Sequence, residues 1–163
     1  MGSKEERMAQ TKDINYRELR DAYVELMART IRSNSFLTLV TNGEGSTASI
    51  RKDLKSLLAR IDRALLGPKW QKLAKDERTE GVFVLEHVEG KIHAHGMLRL
   101  PPHDEDDIHM IIGTHWTTLC PGGNCLLLPV GDAERRARYC TKEMSLPWFS
   151  GDQVVCTWDF MNR

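Results

Sequence analysis

Glu86, His93 and His95 are the residues whose types and spacing best suit chemistry. Phe83-Val84-Leu85-Glu86-His87 and Ile92-His93-Ala94-His95-Gly96-Met97-Leu98 read as strands, and they bracket Val88-Glu89-Gly90-Lys91, a turn. A two-residue loop at Glu89-Gly90 pairs Val88 with Lys91 and sets Glu86 opposite His93. Side chains alternate faces along a strand, so His93 and His95 share a face, and Glu86 joins them. Two imidazoles and one carboxylate suit a divalent metal such as Mn²⁺, Zn²⁺ or Mg²⁺, with positions left open for substrate. The same spacing also suits two histidines on the solvent face of a hairpin. Cross-strand Glu86 and apolar Ala94 speak for the site, and at this point both readings stand.

Tyr139 and Lys142 form a second constellation. Three residues apart on a helix expected over Ala133 to about Met144, they share a face. A tyrosine hydroxyl, with a free pKa near ~10, is a poor nucleophile unless a cation or metal assists it. Lys142 supplies a cation, and arginines beside Tyr139 suit phosphate. An amphipathic helix with one tyrosine at its core edge would carry the same residues.

The elements that must position these groups follow from periodicity. Asp13 to about Arg32 has helical spacing, with Ile14, Leu19, Tyr23, Leu26, Met27 and Ile31 on one stripe and Asp13 as N-cap. Ser35–Thr41 alternates as a strand, ended by Asn42-Gly43-Glu44-Gly45. Ser46 or Thr47 caps a long helix striped by Ile50, Leu54, Leu57, Leu58, Ile61 and Leu65, and Gly67-Pro68 stops it. The acidic run Asp104–Asp107 suits the start of a helix toward Trp116. Cys125–Val130 reads as a strand and Gln153–Phe160 as a final one. The order is helix, β, α, β-β, α, β, α, β, an α+β chain with one antiparallel sheet and helices on one face. Residues 1–12 are expected to be a flexible N-terminus, and 13–163 one domain.

Composition narrows the function classes. The chain has 163 residues, with 40% apolar and 28% charged, ordinary for a soluble globular domain. No run is long and apolar enough for a membrane span and no secretory signal is evident, which points to the cytoplasm. Lys+Arg and Asp+Glu balance at 23 each, which argues against a purely electrostatic nucleic-acid coat but allows a local basic groove. Cys120, Cys125, Cys140 and Cys156 lack paired metal-site spacing and are expected as reduced thiols. His103, His109 and His115 have no matched partners and read as surface or packing residues.

Taken together, three stretches carry a resemblance. Phe36-Leu37-Thr38-Leu39-Val40-Thr41 resembles the first-strand motif of rolling-circle replication initiators, His93-Ala94-His95 their His-hydrophobic-His motif, and Tyr139-Cys140-Thr141-Lys142 their Tyr-x-x-Lys motif. All three stand in the family's order. The chain is thus similar to the HUH endonucleases, in particular the single-tyrosine Rep type. The resemblance implies a ferredoxin-like or RRM-like core, with a central antiparallel sheet of about five strands flanked by helices. It implies that Glu86, His93 and His95 hold Mg²⁺ or Mn²⁺, and that Tyr139, assisted by Lys142, attacks a phosphate of single-stranded DNA. A 5′-phosphotyrosyl link then forms and a 3′-hydroxyl is released. Thr38, Arg135, Arg136 and Arg138 are the expected DNA contacts. A single-stranded DNA partner, such as an origin hairpin, follows from the same resemblance.

The departures from the family are a short chain, one candidate tyrosine, zero net charge and no Gly-x-x-x-x-Gly-Lys-Ser/Thr loop. A separate helicase or polymerase, or a missing C-terminal region, is therefore expected to cooperate with it. A transposase or relaxase of the same chemistry is an alternative, although Tyr139 lying after the histidines favours the Rep order. A non-catalytic RRM-like module is another, disfavoured because histidines and glutamate stand where base-stacking aromatics would. A domesticated relic that binds DNA without cutting is a third.

Overall fold

A computed structural model describes residues 15–43 and 45–161 of the chain. Asp13, Ile14 and the expected flexible 1–12 segment lie outside the described residues. Helix α1 (Tyr16–Glu25) begins at Asn15, whose side chain accepts from the amides of Arg17 and Glu18. It continues as a π-helical turn over Leu26–Thr30, and Arg32, at φ 56°, reverses the chain.

Strand β1 (Ser35–Val40) leads to α2 (Thr47–Leu66), capped by Ser46 and closed at Gly67. Gly67 has φ 85°, a conformation that costs a residue with a Cβ. Residues 67–79 are latched back onto α2, because Thr79 donates its amide (2.9 Å) and hydroxyl (2.6 Å) to the buried carboxylate of Asp62. Then come β2 (Glu80–Glu86), β3 (His93–Arg99), α3 (Glu105–Leu119), β4 (Asn124–Pro129), α4 (Ala133–Cys140) and a short β5 (Val154–Cys156).

The strands form one antiparallel five-stranded sheet in the order β4-β1-β3-β2-β5. The β1-α2-β2-β3-α3-β4 run with β1 and β3 central is a ferredoxin-like arrangement. The fold is α+β, a five-stranded antiparallel sheet flanked by four α-helices among the described residues.

The helices are not confined to one face, which corrects that expectation. On one face Leu37, Leu39, Phe83, Leu85, Ala94 and Leu98 pack against α2 and α3 through Leu54, Leu57, Ile61, Ile108, Ile112 and Trp116. On the other, Phe36, Val82, Val84 and Met97 pack against α1 and α4 through Val24, Met27, Ala137 and Cys140. Each large apolar side chain so buried contributes about 1.5–3 kcal/mol. The periodicity of the first helix reveals an apolar stripe but not which sheet face receives it.

Two further boundaries differ. The last helix ends at Cys140, and Lys142–Ser145 form a 3₁₀ turn. Arg20 of α1 explains this, because it donates to the carbonyl of Arg138 (2.9 Å) and to Thr141 Oγ1 (3.2 Å), taking up groups at the helix end. The final strand stops at Cys156 and gives way to a 3₁₀ turn over Thr157–Phe160.

Candidate metal and nucleophile site

The hairpin register places Glu86 opposite His93, as the spacing of polar and apolar residues predicts. The turn is longer than two residues. Strand pairing ends at Glu86 and resumes at His93, and Gly90 donates its amide to the carbonyl of His87 (3.0 Å). His87 has φ 55°, so strand alternation stops there.

Directly opposed residues of antiparallel strands share a face, so Thr38 of β1, His95 of β3 and Val84 of β2 form one row across the sheet. Val40, His93 and Glu86 form the next. Both rows lie on the face that α4 approaches. Gly96 keeps β3 in place from the opposite side, since a Cβ there would run into the ring of Phe83.

Glu86 is almost sealed, with its side chain 1% exposed. Its Oε2 lies 3.3 Å from His95 Nε2, and His95 Nδ1 lies 3.1 Å from Thr38 Oγ1. A carboxylate can only accept, so with the ring's proton on Nε2 the imidazole turns that N–H toward Glu86 and Nδ1 accepts from the threonine hydroxyl. Lys142 Nζ lies 2.9 Å from both carboxylate oxygens, but only Oε2 receives a well-angled hydrogen bond. Oε1 is left buried without a hydrogen-bond partner.

Burial pushes the Glu86 carboxyl up, but hydrogen bonds and charge from His95 and Lys142 outweigh it and hold the group below the usual glutamate range. Burial lowers Lys142, and its contact with Glu86 more than reverses this, so the ammonium is held above its usual value. His93 is held down by burial, then by His87 and His95, which keeps its ring neutral at pH 7.

Tyr139 hangs from α4 over this cluster. Its ring centroid is 5.4 Å from that of His95, and Lys142 Nζ is 4.0 Å from the tyrosine centroid. The tyrosine remains 47% exposed. Lys142 reaches it from the 3₁₀ turn rather than from the helix itself.

Arg135 and Arg136 line a groove with Tyr139, Val130, Gly131 and Asp132, and the Arg136 guanidinium sits 4.8 Å from the Phe36 ring centroid. Arg138 is directed away. It pairs with Glu134 (3.1 Å) and Asp21 (3.5 Å) between α4 and α1. The structure thus brings together Thr38, Glu86, His95, Tyr139 and Lys142, with His93 in the row of Glu86 and Arg135 and Arg136 beside them, and leaves Arg138 apart. The expected triad is corrected in part, because the donor atoms of Glu86, His93 and His95 do not all lie within 4.8 Å of one another.

The donor atoms that gather within 4.8 Å of one another belong to Glu86, His87 and Glu143. This group could hold a metal ion. An orphaned buried carboxylate oxygen, with imidazole and carboxylate donors around it, fits a divalent cation. His93 stands beside the group, its ring centroid 4.9 Å from that of His87 and 6.3 Å from that of His95. Strand alternation over Phe83–His87 would send His87 to the opposite face, and no pattern in the sequence singles out Glu143.

Among the described residues no helix is long and apolar enough to cross a membrane. No protein-family model matches the chain, and no curated protein matches it. Among solved structures it is similar to the hypothetical protein ORF119 from Sulfolobus islandicus rod-shaped virus 1, with a TM-score of 0.49 and 13% identity, over 82% of this chain and 99% of that one.

Proposed function

We propose that this chain is a metal-dependent endonuclease of the HUH type that nicks and rejoins single-stranded DNA through a phosphotyrosyl intermediate at Tyr139. The observation that carries this reading is the half-exposed Tyr139 ring stacked edge-on over His95, with Lys142 joining it to the buried Glu86. A nucleophile, a cation and a carboxylate–imidazole cluster thus meet on one sheet face, as such a transesterification needs.

Glu86, with His93 and His95 and with His87 and Glu143 at its mouth, would hold Mg²⁺ or Mn²⁺. The bound ion supplies Lewis-acid polarisation of the scissile phosphate and a template for its orientation. Arg135 and Arg136 bind flanking phosphates in the groove beside Tyr139. The tyrosine oxygen attacks phosphorus and gives up its proton, the bond to the 3′-oxygen breaks, and that oxygen takes a proton to leave as a hydroxyl. The 5′-phosphotyrosyl bond keeps the phosphodiester energy, so the reverse step joins strands. Lys142 stabilises negative charge on the phenol oxygen. The substrate on this reading is a replicon's single-stranded origin or its hairpin, with a separate helicase opening the duplex.

Incubation with a pool of single-stranded DNA and Mn²⁺ tests this. A denaturant-stable adduct on the peptide bearing Tyr139 is the expected result, and Tyr139→Phe abolishes it. An adduct on Tyr16 or Tyr23 would overturn the assignment. Cleavage without any adduct would make a metal-activated water the nucleophile.

A further inference from the structure

A buried carboxylate is tolerated where positive charge stands against it. In this chain that charge is Lys142, whose Nζ lies 2.9 Å from both oxygens of Glu86. Lys142 extends from a surface turn with its side chain 40% exposed, so the ammonium can swing to solvent without moving a strand or helix. A lysine stem is flexible and its head readily rehydrated, unlike an arginine fork. Beside its path stands the Tyr139 ring, 4.0 Å from Nζ, and the donors of His87 and Glu143 flank Glu86 toward the surface.

Resting on the metal-dependent reading above, we infer that Lys142 is a built-in substitute for the divalent cation. It occupies Glu86 in the metal-free protein and is displaced toward Tyr139 and solvent when the ion loads. An ammonium and a divalent ion on the same oxygens would repel each other, the more so on a carboxylate only 1% exposed. The lysine is the one free to leave. The exchange counters the charge of the buried carboxylate before loading, and once the metal is present it leaves the ammonium, already 4.0 Å from the Tyr139 ring centroid, to the tyrosine alone. His87 and Glu143 give the ion its landing on the solvent side.

Calorimetric titration of Mn²⁺ into the whole chain without DNA is the test, with Lys142→Met, which removes the charge and keeps the length, and Lys142→Arg, which restores it. Lys142→Met should bind Mn²⁺ at least about tenfold more tightly than wild type, and Lys142→Arg should return toward wild type. In parallel, acylation of the wild-type protein by an amine-reactive ester, read by mass spectrometry, should show Lys142 modified faster when Mn²⁺ is added, with Lys55 on α2 unchanged. The acylation result decides alone if Lys142→Met fails to fold. Equal or weaker Mn²⁺ binding by folded Lys142→Met, or acylation indifferent to the cation, overturns the exchange and leaves the metal site standing. No Mn²⁺ binding by wild type or Lys142→Met overturns the exchange and the metal site together.

Discussion

Thr38 and His95 face each other across β1 and β3, and the threonine hydroxyl lies 3.1 Å from the imidazole Nδ1. A hydroxyl both donates and accepts. With the ring's proton on Nε2, Thr38 donates to Nδ1. With Nε2 bare for a metal, the proton moves to Nδ1 and Thr38 accepts it. The hydroxyl therefore holds the ring in one orientation through both tautomers, as an outer partner of a metal-binding histidine does. Thr38→Val keeps the shape and removes that partner. It should lower Mn²⁺ affinity by roughly 10–100-fold by calorimetry, with a loss of about 1 kcal/mol in unfolding free energy. Unchanged affinity would mean that His95 does not ligate.

The Glu86–Lys142 contact should appear in the pH dependence of stability measured with chelator present. The folded-state pKa of Glu86 lies below its ordinary value of 4.5, so its contribution is present above that value and lost as pH falls through the lowered one. Lys142 is held above its ordinary 10.5, so its contribution is present below that value and lost as pH rises through the raised one. Urea midpoints of wild type should therefore fall at both extremes. Glu86→Gln should remove the acid limb and flatten the alkaline one, because Glu86 is the foremost of the groups that raise Lys142. A Glu86→Gln profile parallel to wild type would show that the ion pair is absent in solution.

How much of this was legible in sequence depends on the kind of signal. The Glu86–His93 pairing was legible, since alternation across a hairpin is strictly periodic and one burial pattern allows only one register. Ser46 as a cap and Gly67 as a stop were legible for the same local reason. The ligand candidates His87 and Glu143 were not. His87 owes its direction to a single left-handed residue, and no periodicity encodes that. The end of the last helix was hidden as well, because the group that satisfies it, Arg20, comes from α1. Arg138 looked equivalent to its neighbours on the helix until α1 supplied Asp21 beside it.

Gly96 offers a test of scaffold against site. An added Cβ would overlap the Phe83 ring, which is fully buried between the sheet and α2. Gly96→Ala should cost about 1–3 kcal/mol, as overpacking does, read as a lowered denaturation midpoint. Because β3 carries both histidines, the strand shift should also weaken Mn²⁺ binding. A stable Gly96→Ala protein with wild-type affinity would show that β3 has room to move.

Arg136 and Arg138 separate electrostatic binding from packing on one short helix. Arg136 lies against the Phe36 ring, beside Tyr139 and open to the groove. Arg138 is spent on Glu134 and Asp21. On single-stranded DNA, each phosphate that the protein neutralises steepens the slope of log affinity against log salt by about 0.7. Arg136→Ala should therefore weaken binding and flatten that slope by about this amount. Arg138→Ala should leave the slope unchanged and barely lower the denaturation midpoint, since exposed pairs are weak. Fluorescence anisotropy with a labelled oligonucleotide across a salt series reads both variants. A flattened slope in Arg138→Ala with none in Arg136→Ala would move the DNA path to the crevice between α1 and α4, away from Tyr139.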